Sequence, residues 1–262
     1  MLGLGRRTEE VLVLVKAYPN PSSRYGESAC IAGVTRDNEW IRLYPVDFRH
    51  LPADRRFRKW QWIRVRVTKS SRDPRRESHS PDQASIQPLE RIEDWARRRA
   101  VIDRLTSPSL ETLRASGASL GVIRPAVVST FEWEVSRRVW NSGQLAHLRS
   151  AGRTLFSEQR KVPVLERIPY AFFYAFSCDG VCNHRLSIVD WEVMESYRKW
   201  RADRHSLPED KLRLKYQDQL TRERDLHLLL GTPLQQHRFG SFLVVGLLYP
   251  PRGGTQMVMF DR

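Results

Sequence analysis

The sequence predicts an α+β fold: a basic, barrel-like N-terminal β-sheet, a helical middle, and a C-terminal strand that packs back on that sheet. Three observations carry this expectation. Short apolar runs with period-two alternation crowd the chain before Lys69, helical spacing dominates two stretches further on, and a nearly continuous apolar run, Phe242 to Tyr249, lies close to the C-terminus. That run, stopped by Pro250-Pro251, has the pattern of a central buried strand.

The first strand is read from Val11, Val13 and Val15, which alternate with leucines and halt at the turn-forming Tyr18-Pro-Asn-Pro-Ser-Ser. Ala29 to Thr35 and Trp40 to Tyr44 flank Asp37-Asn38 as a hairpin that Pro45 ends. Trp60 to Thr68 alternates strictly, with Ile63, Val65 and Val67 on one face and Trp60, Trp62, Arg64 and Arg66 on the other. The polar, arginine-rich stretch Lys69 to Pro88 reads as an exposed loop and a candidate binding arm. Leu89 to Leu105 has helical spacing through Leu89, Ile92 and Ala96, with Arg97 to Arg99 toward its end. Ser107-Pro108 opens a shorter helix that Gly117 closes, and Phe131 to Val135 returns to strand alternation.

From Pro169 the chain is strand-like to Phe176, with Phe172, Tyr174 and Phe176 on one face; a short strand, Leu186 to Val189, and a helix, Trp191 to Asp203, follow. Pro208 opens a long helix that Gly231 stops. With no repeat or linker in view, residues 1–262 are expected to form a single compact unit, with 8–88 (basic, β) and 89–262 (α+β) as its candidate subdomains.

Bulk composition narrows the function classes. A chain of 262 residues with 40% hydrophobic content can bury a core without disulfides, and its formal charge of +14 marks a polyanion as the expected partner. Arginines number 37 against 7 lysines, which suits bidentate phosphate contacts. Between Arg36 and Glu77 stand thirteen basic and six acidic residues, so a short segment holds half the net charge. Three cysteines are too few for a secreted framework and predict reduced thiols or metal ligands in the cytosol. The N-terminus lacks the apolar region of an export signal, and no apolar run approaches the roughly 20 residues of a membrane span.

Four constellations could carry chemistry. The face Trp60, Trp62, Arg64, Arg66, with Arg58 and Lys59 beside it, offers stacking planes and phosphate donors together, as single-stranded nucleic acid requires; the plainer reading is that both tryptophans pack under a helix and the arginines solvate the edge. Cys178-Asp-Gly-Val-Cys182-Asn-His184 is a C-x3-C-x-H loop whose thiolates and imidazole suit zinc, with Cys30 as the candidate fourth ligand of a structural site. An open fourth position would instead mark a catalytic metal, and an iron–sulfur cluster or two ordinary cysteines are the other readings. Asp190, Glu192, Asp73, Glu77 and Glu27 are carboxylates of the kind that metal-dependent phosphodiester cleavage needs, although Asp190 is more economically a helix N-cap with Glu192 in the favourable first turn. Finally, Asp73-Pro-Arg75-Arg76-Glu-Ser-His79 joins phosphate donors to a possible general base, His79, or is a salt-bridged loop.

Lys16-Ala-Tyr-Pro19, Glu27-Ser-Ala-Cys-Ile-Ala-Gly33, Trp40-Ile-Arg-Leu-Tyr-Pro45, Asp73-Pro-Arg-Arg-Glu-Ser78, Ser119-Leu-Gly121, the cysteine loop with Asp190-Trp-Glu192, and Val245-Gly246 with Tyr249-Pro-Pro251 together resemble an uncharacterised bacterial protein family. That resemblance implies that the cysteine loop and the Asp-Trp-Glu segment are signature elements, and it transfers no catalytic residue. The basic N-terminal strands are also similar in order and rhythm to PUA-like barrels of the ASCH type, which implies binding of RNA or modified nucleic acid. The sequence thus predicts a nucleic-acid-binding protein with a structural zinc site, DNA or RNA undecided. The alternative is a metal-dependent nuclease or RNA-processing enzyme using Asp190, Glu192 and His184.

Overall fold

A computed structural model describes residues 5–136, 139–150, 162–203, 207–234 and 240–252. Two compact units divide the chain: residues 1–91 with 135–170, and residues 92–134 with 171–262.

The first unit is a closed barrel. Its strands are β1 (Arg7–Lys16), β2 (Asn20–Ser22), β3 (Gly26–Thr35), β4 (Trp40–Val46), β5 (Gln61–Lys69), β6 (Ser78–Pro81) and β7 (Gln87–Arg91). They are ordered β1-β3-β4-β6-β5-β7, and β1 also pairs with β5, which closes the ring. β1 changes partner along its length: Arg7 to Leu12 pair with β5, whereas Val11 to Lys16 pair with β3. The alternation read from sequence holds inside, where Ile63, Val65 and Val67 pack against Val11, Val13, Ile31, Ile41 and Leu43 in one apolar core. The helix α3 (Ser142–Ser150) packs beside β2 and β3 of this unit.

Several expected boundaries move. Pro45 does not end β4, which runs on to Val46. The segment from Lys69 to Pro88 is not a free arm: Ser78–Pro81 forms β6, inserted parallel to β4 and antiparallel to β5, so its polar sequence conceals a barrel stave. The turn before it is clamped by Asp73, which accepts hydrogen bonds from the backbone of Arg75, from that residue's guanidinium and from the Ser78 hydroxyl. The helix expected from Leu89 starts later, because Gln87–Arg91 pair with β5 and Asp94 then caps α1 (Trp95–Leu105) through the Arg97 amide.

The second unit is built on a seven-stranded sheet. Its elements after α1 are β8 (Thr106–Ser107), α2 (Leu110–Ala115), β9 (Leu120–Ile123), β10 (Val127–Val135), β11 (Tyr170–Ser177), β12 (His184–Ile188), β13 (His227–Gly231) and β14 (Leu243–Leu248), in the order β10-β11-β12-β14-β13-β9-β8. The Phe242 to Tyr249 run is the central strand its composition predicts, but its partners are β12 and β13 of this sheet, not the N-terminal strands. The helix opened by Pro208 ends at Arg222 after a π-helical stretch, Arg213–Gln219, and Gly231 closes the buried strand β13 instead. Phe172, Tyr174 and Phe176 point into the core together, as their spacing indicates. Phe172 and Tyr174 pack on Phe131, whose ring also stacks on Tyr216.

Candidate metal centre

The turn from β11 to β12 is folded by its own short polar side chains. Ser177 Oγ accepts the Gly180 amide at 2.7 Å, and Asp179 Oδ1 accepts the amides of Val181 and Cys182, each at 2.9 Å. Gly180 takes the left-handed conformation such a reversal needs, at φ +85°. The two amides hold the Asp179 carboxyl at about 2, well below its ordinary value. The turn brings Cys182 back on Cys178, whose amide donates to the Cys182 sulfur at 3.3 Å.

His184 opens β12 with its ring packed against Phe176, centroids 5.2 Å apart, and its side chain is 9% exposed. A fourth group arrives from another element. Ser109 caps α2 by accepting the Thr112 amide, and Glu111 in the first turn then faces the loop. Glycine at 121 lets α2 settle on β9, since a Cβ there would press into Leu113. One donor atom each from Glu111, Cys178, Cys182 and His184 lies within 4.8 Å of every other. Burial, with the neighbouring Cys182 and Glu111 charges adding to it, pushes the Cys178 thiol up, and the Leu110 amide only partly offsets this.

The expected fourth ligand, Cys30, is not among these atoms. It lies on β3 in the first unit, with its sulfur 4.0 Å from an Arg42 nitrogen. Nor do Asp190 and Glu192 join the cluster. Asp190 is 1% exposed and committed on both oxygens: one caps α4 (Trp191–Arg201) through the Glu192 amide at 2.6 Å, the other accepts the Leu247 amide of β14 at 2.9 Å. This is the N-cap arrangement that its position before a helix predicts.

A second donor cluster, Glu27, Asp47 and His50, sits in the first unit. Here the cation is already supplied. Arg49 Nη1 pairs with Glu27 at 2.7 Å, and His50 Nδ1 meets Asp47 at 2.5 Å. Burial raises the Glu27 carboxyl despite the positive charges beside it. Burial opposes protonation of His50 as well, but the Asp47 hydrogen bond and charge prevail and raise that imidazole.

The arginine and tryptophan face also differs from expectation. Trp60 precedes β5 in a left-handed conformation and is 4% exposed; Trp62 is 9% exposed and lies under the Arg36 guanidinium, 3.7 Å from its ring centroid. Arg36 is held there by Glu10 and Glu90, Arg64 pairs with Glu10 directly across the β1–β5 ladder, and Arg66 pairs with Asp82. The strand thus presents guanidinium groups but no stacking planes, because the protein has stacked its own cation on the outer indole. Arg58 and Arg76 are exposed, Lys59 is half-buried, and Arg75 is spent on Asp73. His79, the candidate general base, is buried, and burial lowers its imidazole.

Fold and site together define a two-unit α+β protein: a closed basic barrel, then a unit of mixed sheet and helices with a thiol, imidazole and carboxylate cluster at one loop. Residues 7–104 match a domain of unknown function, DUF8758, and residues 102–262 match a second, DUF8757. The second match covers more than half of the sequence, and the chain belongs to that family. A search of curated proteins finds no match. Among the described residues no helix is long and apolar enough to cross a membrane.

Proposed function

We propose that the protein binds nucleic acid along its phosphate backbone through the barrel unit, and that its second unit holds a structural metal ion. Segregation of charge carries the first part: the barrel unit has 25 basic against 13 acidic residues, whereas the second unit has 19 against 17. Nearly all of the net charge of +14 therefore belongs to one folding unit. Arg58 is exposed, as are Arg64, Arg66 and Arg76, although Glu10, Asp82 and Glu39 pair with those three, and the bias to arginine suits bidentate phosphate contacts. A small closed barrel also accords with the PUA-like resemblance. Because the indoles are enclosed, base stacking contributes nothing to this reading, and sequence preference is expected to be slight. The free thiols of Cys30, Cys178 and Cys182 accord with a cytosolic protein.

Fluorescence anisotropy on mixed-sequence DNA and RNA tests the proposal. Affinity should fall steeply, by an order of magnitude or more, between about 50 and 200 mM salt, and vary little with base composition. Absence of binding at the lower salt overturns it.

A further inference from the structure

The side chains that meet at the β11–β12 turn carry the proposal above one step further. His184 Nε2 is buried and makes no hydrogen bond, although Glu111 Oε1 is only 3.1 Å away. Two polar atoms that close without hydrogen-bond geometry are not aimed at each other. They converge on a common point, as ligands of one ion do. The Cys178 and Cys182 sulfurs share that neighbourhood, all four donor atoms lying within 4.8 Å of one another, and tetrahedral zinc with bonds of about 2.0–2.3 Å sets its ligands about 3.3–3.8 Å apart. An orphaned nitrogen on a side chain more than nine-tenths buried is costly unless something external satisfies it.

We infer that Glu111 is the fourth ligand of a closed Cys178, Cys182, His184 and Glu111 zinc site that pins the first turn of α2 to the β11–β12 loop. The inference rests on the metal-holding part of the proposed function and gives it its ligand set. Two thiolates and an imidazole select a borderline, thiophilic ion over magnesium or calcium, and two thiolates are too few for the four-cysteine ligation of ordinary iron–sulfur clusters. The cross-link joins residues some 70 positions apart, so loss of the ion loosens the packing of α2 on β9 and leaves the ladder of β12, β14 and β13 in place. Arg114 Nη1 lies 3.7 Å from Glu111 Oε1, the same oxygen that faces His184, and gives it up when the ion binds.

Full-length protein prepared metal-free and titrated with cobalt(II), then back-titrated with zinc, tests this directly. The expected result is one equivalent bound, a sulfur-to-cobalt charge-transfer band of two-thiolate intensity, strong tetrahedral d–d bands, and their loss on adding zinc. E111Q should keep the charge-transfer band, shift the d–d bands, weaken zinc binding about tenfold, and take up azide at the vacated position. H184Q should weaken zinc by a comparable or larger factor, with far-ultraviolet circular dichroism confirming that each variant is folded. A wild-type protein that gives no charge-transfer band refutes the metal site altogether. A normal band together with d–d bands that E111Q leaves unmoved refutes Glu111 alone and leaves the three-ligand site standing.

Discussion

Two donor clusters in this protein are built from similar groups, yet they differ in where the positive charge comes from. In the barrel, Glu27 and Asp47 are met by Arg49 and His50, so that a buried carboxylate is balanced by the protein itself. In the second unit Cys178, Cys182, His184 and Glu111 converge, the imidazole nitrogen is left without a hydrogen bond, and the contact with Arg114 reaches the carboxylate alone. The contrast teaches how to separate a structural ion-pair network from a ligand set. Counting carboxylates and imidazoles does not distinguish them, whereas asking whether a cation already sits among them does. Arginine follows the same division. Arg36, Arg49, Arg64, Arg66 and Arg75 of the barrel are all engaged by its own acids, which tempers how much of the +14 is available to a partner.

The widest gap between the two clusters should open on metal removal. Chelation is expected to lower the stability of the second unit by about 4 kcal/mol if the ion had been present at a thousandfold its Kd, and to leave the barrel's transition where it was. Calorimetry should then resolve two transitions, and a barrel that shifts equally would erase the distinction. Next in size is D190A, which removes an N-cap and strands the buried Leu247 amide at a cost of about 2–4 kcal/mol; urea melts monitored by tyrosine and tryptophan fluorescence measure it.

The barrel's own network supplies a third prediction. Burial raises the Asp73 carboxyl, but hydrogen bonds from Arg75 and Ser78 outweigh it and hold the group at about 2. A depressed folded value contributes stability that is present above the unfolded value of about 3.9 and is lost as pH falls through 2. D73N should therefore cost about 2 kcal/mol at neutral pH and little below pH 2, read from melting temperature against pH. His50 runs the opposite way: its folded value is raised, so its contribution is full below about pH 6.5 and disappears as pH rises through the folded value. H50Q should flatten that decline, and an unchanged profile between pH 6 and 9 would remove His50 from the network's balance. Smallest of all, R36A should uncover Trp62, raising acrylamide quenching of its fluorescence while costing about 0.5–1 kcal/mol.

Much of the fold could be read from residues alone because the signals were local. The inward set Ile63, Val65, Val67, the face Phe172, Tyr174, Phe176, the cap at Asp190 and the turn at Gly117 each depend on neighbours a few positions away. What escaped was non-local. Ser78–Pro81 has no apolar alternation: its Ser78 hydroxyl serves Asp73, and its backbone joins β4 to β5. Trp62 looked like an exposed platform because nothing near it in sequence announces Arg36, which reaches it from the β3–β4 turn. At the metal centre the loop triad was legible from its spacing, but Glu111 was not: a glutamate in the first turn of a helix is fully accounted for by the helix dipole, so sequence offered no surplus to explain. Cys30 drew attention for being a third thiol, a property that says nothing about where β3 lies.

The double pairing of β1 has a consequence for how the chain is made. The strand is made before either partner, and its second half can join β3 soon afterwards, but Val11 must wait about fifty residues for Ile63. Nascent chains arrested before β5 would therefore expose a long, strongly apolar ribbon with one unsatisfied edge, the kind of surface that chaperones hold and that aggregates capture. Expression yield of truncations ending on either side of Lys69 should accordingly change abruptly and not by degrees.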